Sequence, residues 1–136
     1  MAEGDCNSRN VGVSGALKKD HTNIQALFRR YLASRTGARP AIVQEILSRL
    51  QSHLEMEAIV LLEAIHASGS HALDLVEDVV LEHEEIQAML HEVLLGPMDD
   101  DDSWEERFED MMQTASVHFI IEDRDLLPLV DRARDV

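Results

Sequence analysis

Polar side chains standing where apolar ones are expected constrain this chain most. Four segments repeat apolar residues at three- and four-residue steps, the period of one helix face. Each carries a histidine on that face: His21, His53, His83 and His118. The second and fourth add a glutamate one turn later, Glu57 and Glu122, and Gln87 is a weaker member of the set. A fold that turns these residues inward must give them partners. A buried unpaired charge costs several kcal/mol, or its pKa shifts until it is neutral.

The first segment runs from about Ser14 to Ser34, with Leu17, His21, Ile24, Leu27, Phe28, Tyr31 and Leu32 in phase and Ser14 as its expected N-cap. Gly37 closes it and Pro40 opens the second, which runs to about Ala67. There Ile42, Ile46, Leu50, His53, Glu57, Val60 and Ala64 form the stripe, and Gly69 ends it. The third, capped by Ser70, reaches Leu95 and stops at Gly96-Pro97; its stripe reads Leu73, Val76, Val80, His83, Gln87, Leu90 and Leu94. Four consecutive aspartates, Asp99 to Asp102, follow as a solvated loop without the spaced ligands and glycine of a calcium site. Ser103 and Glu106 form a capping box for the fourth segment, whose stripe is Phe108, Met111, Ala115, His118, Glu122, Leu126 and Leu129. Pro128 is expected to kink or end that helix.

Four amphipathic helices with short connections predict an all-α fold, an antiparallel up-down-up-down four-helix bundle over residues 14–136. Residues 1–13, polar and Gly-rich, read as a disordered tail without a signal-peptide apolar stretch. Cys6, the only cysteine, lies in that tail, so neither an internal disulfide nor a thiolate metal site is expected, and a reducing, cytoplasmic setting is the simplest reading. The net charge of −15 disfavours nucleic acid and anionic membranes as partners and attracts metal cations. No apolar run approaches the roughly 20 residues of a membrane span.

A histidine and a glutamate four residues apart differ by roughly 40° around a helix and about 6 Å along it, so both reach one point. In an antiparallel bundle the mid-helix positions come to one level, and four imidazoles with two carboxylates converge there. Nitrogen and oxygen donors without thiolate suit iron, manganese or zinc. Two carboxylates can bridge two metals and two histidines can cap each, which leaves an open position on each metal. His66, His71 and His91 are expected on the surface.

The pieces Asp20-His21-x-x-Ile24, His53-x-x-x-Glu57, Glu82-His83-x-x-Ile86 and His118-x-x-x-Glu122-Asp123, with Leu127-Pro128 after them, resemble the hemerythrin-like, or HHE cation-binding, family. The resemblance implies two non-haem iron ions, oxo- or hydroxo-bridged, with His21, His53, Glu57, His83, His118 and Glu122 as ligands and the two glutamates bridging. Oxygen-carrying hemerythrins have a second histidine one turn after the third-helix histidine, where this chain has Gln87, and a His-x-x-x-x-Asp where it has His118-x-x-x-Glu122. Either Gln87 or Tyr31 is a candidate to complete the coordination. The departure disfavours reversible oxygen carriage. It leaves binding of, or reaction with, oxygen, hydrogen peroxide or nitric oxide, with catalase-like peroxide decomposition favoured.

Other functions compete. Oxygen or iron sensing, or iron storage, would use the same centre without turnover. A ferritin-like oxidase needs two Glu-x-x-His motifs, and the chain has one, at Glu63–His66. A zinc peptidase helix would need a histidine at Gln87. A helical interaction module with core histidines that bind nothing is the non-metal alternative.

Overall fold

The computed structural model describes the backbone of residues 2–68, 73–96 and 102–135, and side chains within 14–35, 37–60, 74–96 and 103–131. Four helical arms correspond to the four sequence stripes. They are α1 (Ala2–Ala33), α2 (Arg39–Ser68), α3 (Leu73–Leu95) and a fourth arm. The fourth arm comprises α4 (Asp102–Ile121), a π-helical turn (Glu122–Leu126) and α5 (Leu127–Asp135). Among the described residues there is no strand. No described helix is long and apolar enough to cross a membrane. Helix α1 packs on α2, α2 on α3 and α3 on α4, while α4 and α5 close back onto α1. The predicted four-helix bundle is therefore the observed architecture.

The core divides into two apolar blocks. The larger joins Ile24, Phe28, Ile46, Leu50, Ile86, Phe108, Met111 and their neighbours, and the smaller joins Leu17, Val60, Val76, Val79, Leu126, Leu127 and Val130. Burying each large aliphatic or aromatic side chain contributes roughly 1.5–3 kcal/mol, so these blocks can offset a polar layer placed between them. At the far end of the larger block, Trp104 Nε1–H donates to Val93 O at 3.1 Å. That bond satisfies one of the free carbonyls at the end of α3. Gly96 follows directly, and a Cβ there would sit 3.1 Å from the Trp104 ring.

Several boundaries differ from expectation. Ser14 is a buried residue inside α1 and not its cap. The helix is continuous back to Ala2 because no proline interrupts it, and Gly12 and Gly15 each cost only about 1 kcal/mol against alanine. Helix α4 begins at Asp102, one residue ahead of the expected cap, and Ser103 Oγ accepts a bond from Arg107. Positions Gly69, Ser70, Pro97 and Asp99 to Asp101, for which caps, stops or a loop are expected, lie outside the described residues.

Pro128 neither ends the fourth arm nor leaves it a regular α-helix. Proline lacks the N–H of an α-helical bond, and its ring collides with the carbonyl four residues back. The turn before it widens: the Leu127 N–H bonds to Glu122 O, five residues back. The extra residue places Leu126 and Leu127 both in the core. A π turn of this kind often marks a functional site, and here it begins on Glu122.

Candidate metal centre

His21 on α1, His53 and Glu57 on α2, His83 on α3, His118 on α4 and Glu122 on the π turn are all buried. They form the polar layer between the two apolar blocks. Glu57 lies at its middle. Its Oε2 is 2.7 Å from His53 Nε2 and 3.4 Å from His21 Nε2; its Oε1 is 2.7 Å from His83 Nε2 and 3.4 Å from His118 Nε2. Glu122 spans the same gap, with Oε1 3.3 Å from His21 Nε2 and Oε2 3.1 Å from His118 Nε2. Two groups of four donors result, His21–His53–Glu57–Glu122 and Glu57–His83–His118–Glu122, and within each the donor atoms lie within 4.8 Å of one another. Both glutamates belong to both groups.

The donors fit a cation better than they fit each other. His83 Nε2 and both carboxylate oxygens of Glu122 are buried and make no hydrogen bond. Their close neighbours stand at ion-pair distance but outside hydrogen-bonding angles. Leaving three such atoms unsatisfied would cost several kcal/mol. Neutral imidazole and carboxylate around a metal remove that penalty, and the all nitrogen and oxygen donor set matches iron, manganese or zinc.

Behind the donors stand carboxylates on neighbouring helices. His21 Nδ1 contacts Asp123 Oδ1 at 2.7 Å, His53 Nδ1 contacts Asp20 Oδ2 at 3.1 Å, and His118 Nδ1 contacts Glu82 Oε2 at 2.9 Å. An Nδ1–H that donates to a carboxylate leaves the Nε2 lone pair facing inward, the tautomer a metal needs. Phe119 covers one side of the layer, stacked on His21 at 4.3 Å between ring centres and edge-on to His53 at 5.3 Å.

Electrostatics in the metal-free layer are those of a cage that attracts positive charge. Burial opposes protonation of His21, but Glu122 and Glu57 outweigh it and push the imidazole up to about 10. His118 is pushed up to about 10 in the same way, against burial, by Glu122, Glu57 and Glu82. Burial favours the neutral acid at both glutamates. At Glu57 the contacts with Glu122, His118, His21 and His53 prevail and hold it well below the usual carboxylate range. Glu122, buried and beside that charge, is raised.

All six residues singled out from the sequence thus meet at one level. Gln87 and Tyr31 do not join them. Gln87 is exposed, in a groove between α2 and α3 with His91, while Ile86 takes the inward position. Tyr31 lies ten residues past His21, about 15 Å along α1. It is packed on Phe108 beneath the Arg39 guanidinium. His91 is exposed as expected, and the side chains of His66 and His71 lie outside the described set. The sequence pattern assigns no separate role to Asp20, Glu82, Asp123 or Phe119. The signal for the three acids was present, since each flanks a donor in sequence.

The family model for the hemerythrin HHE cation binding domain matches residues 13–130. No curated protein and no solved structure gives a match.

Proposed function

The chain belongs to the hemerythrin HHE cation-binding domain family, and we propose that its polar layer holds two non-haem iron ions, oxo- or hydroxo-bridged. In this reading His21 and His53 hold one ion, His83 and His118 hold the other, and Glu57 and Glu122 bridge them. Carrying the proposal is the sharing of both glutamates between two four-donor groups, one carboxylate oxygen of each facing either pair of histidines.

Bound iron supplies redox chemistry and open coordination positions to oxygen, hydrogen peroxide or nitric oxide. The chain's own residues do the rest. The histidines and glutamates would hold the ions, Asp20, Glu82 and Asp123 keep the tautomers of His53, His118 and His21, and Phe119 shields the His21–His53 side from water. Gln87 no longer separates the two positions, because it faces solvent. Each position has four protein donors, two histidines of its own and the two shared glutamates, so neither is saturated, and one small molecule can meet both ions. That symmetry supports decomposition of hydrogen peroxide to water and oxygen over reversible oxygen carriage.

The test is iron content of the purified protein, its optical spectrum, and oxygen evolution from peroxide, with Glu57→Ala as control. Two irons per chain and evolution above the control are expected. Iron without evolution, together with a reversible oxygen-bound spectrum, would overturn the catalytic part in favour of binding or sensing. Absence of metal would overturn the reading as a whole and leave a helical interaction module.

A further inference from the structure

The six donors are symmetric, but what stands behind them is not. In the His21–His53 group both imidazoles are braced through Nδ1 by a carboxylate from another helix, Asp123 for His21 and Asp20 for His53. In the His83–His118 group, Glu82 braces His118. Among the described residues, His83 has an ion-pair contact with Glu57 alone, and that contact is through Nε2. The sequence explains the difference. Asp20 precedes His21, Glu82 precedes His83 and Asp123 follows Glu122, each reaching sideways to the next helix. Positions 52, 54, 56 and 58, which flank the donors of α2, are Ser, Leu, Met and Ala.

A second asymmetry concerns access. Phe119 covers the His21–His53 side by stacking. On the other side an open groove of about 300 Å³ runs between α3 and α4, lined by Glu82, Glu85, Gln113, Thr114, Val117 and His118. It brings solvent and two carboxylates up to the His118 imidazole.

We propose that Asp20, Asp123 and Glu82 are positioning residues that make the two metal positions unequal. The position of His21 and His53 fills first and holds its ion tightly. The position of His83 and His118 fills second, through the α3–α4 groove, and exchanges its ion. A braced imidazole is fixed in tautomer and orientation and is more basic toward a metal, and loss of such a partner typically weakens metal binding roughly ten- to hundredfold. The His21–His53 position has two braces and the other has one. This inference rests on the two-metal reading above.

Anaerobic titration of the metal-free protein with cobalt(II) tests it, followed by calorimetry and visible absorption, which reports the ligand field of each occupied position. Two steps of one equivalent each are expected, the first roughly tenfold or more tighter. Asp123→Asn and Asp20→Asn should each weaken the first step and alter the absorption of the first equivalent. Glu82→Gln should weaken the second step and leave the first unchanged. These near-isosteric changes lie on half-exposed side chains, and circular dichroism of the metal-free variants checks the fold. A single two-equivalent step in the parent protein would overturn the inference while leaving the two-metal reading standing. So would equal weakening of both steps by Asp123→Asn and Glu82→Gln. Failure to bind cobalt or iron at all would overturn both.

Discussion

His21 and His53 point their Nε2 atoms at each other across 3.0 Å, while Asp123 and Asp20 hold their opposite nitrogens. Two neutral imidazoles braced in this way direct two lone pairs into one small space. Glu122 and Glu57 favour a proton in that space, outweigh burial, and raise His21 to about 10. A bound metal ion would take both lone pairs.

Metal uptake is therefore expected to release protons at neutral pH. His21 and His118, both raised to about 10, are protonated in the metal-free protein at pH 7 and must be neutral to coordinate. About two protons per chain should leave from these imidazoles on full loading, with any proton lost by a bridging water added to them, and apparent affinity should climb with pH toward about 10. Calorimetry in two buffers of different ionisation enthalpy measures the number. No buffer dependence would show that the histidines are already neutral.

Stability of the metal-free protein should depend on pH in a direction set by the same residues. His21 and His118 have folded values raised from 6.5 to about 10. Their contribution is complete below 6.5 and is lost as pH rises through about 10. Glu57, lowered, contributes above the ordinary carboxylate value of 4.5, and that part is lost as pH falls below it. Glu122, raised, acts in the opposite sense to Glu57. Thermal unfolding near pH 6 should thus occur at a higher temperature than near pH 10. The same midpoint at both would contradict the ion pairing.

Loading should stabilise the fold. A ligand that binds only the native state adds about 4 kcal/mol at a thousandfold excess over Kd. For a chain of this length that is a rise in Tm on the order of 10 °C or more. Acid should reverse it by protonating the imidazoles. Superimposable melts with and without iron would contradict the buried donor cage.

Substitution should separate donors from surface histidines. His53→Ala or His118→Ala is expected to lose most bound metal, whereas His91→Ala, on an exposed face, should retain it. Glu57→Ala should be the most damaging, because both donor groups use it. Metal-to-protein ratios after gel filtration decide the order. Equal metal content across the set would remove the ligand assignment.

Helix phase was legible wherever apolar residues were unambiguous. In α1, the first half of α2 and α4, the stripes through His21, His53 and His118 are the buried ones apart from Leu32, which is exposed. In α3 the chain offers Val79-Val80 and Val93-Leu94 as alternatives, so two overlapping apolar stripes, one through Ile86 and one through Gln87, are both available. Packing against α2 and α4 selects Val76, Val79, His83, Ile86, Leu90 and Val93. That choice turns Gln87 outward and removes it from the centre.

Sequence alone determined four helices, a bundle, and six donors on inward faces, because periodicity and burial of polar groups are local consequences of residue order. Tertiary structure decided what no local pattern contains. It set the sharing of Glu57 and Glu122 between two histidine pairs and the bracing of His21, His53 and His118 by Asp123, Asp20 and Glu82. It also set the cover of Phe119 and the widening of the fourth helix before Pro128. Each depends on distances between residues on different helices, or on how a helix yields to its neighbours. Such distances follow from packing two apolar blocks around one polar layer, and not from the spacing along any single helix.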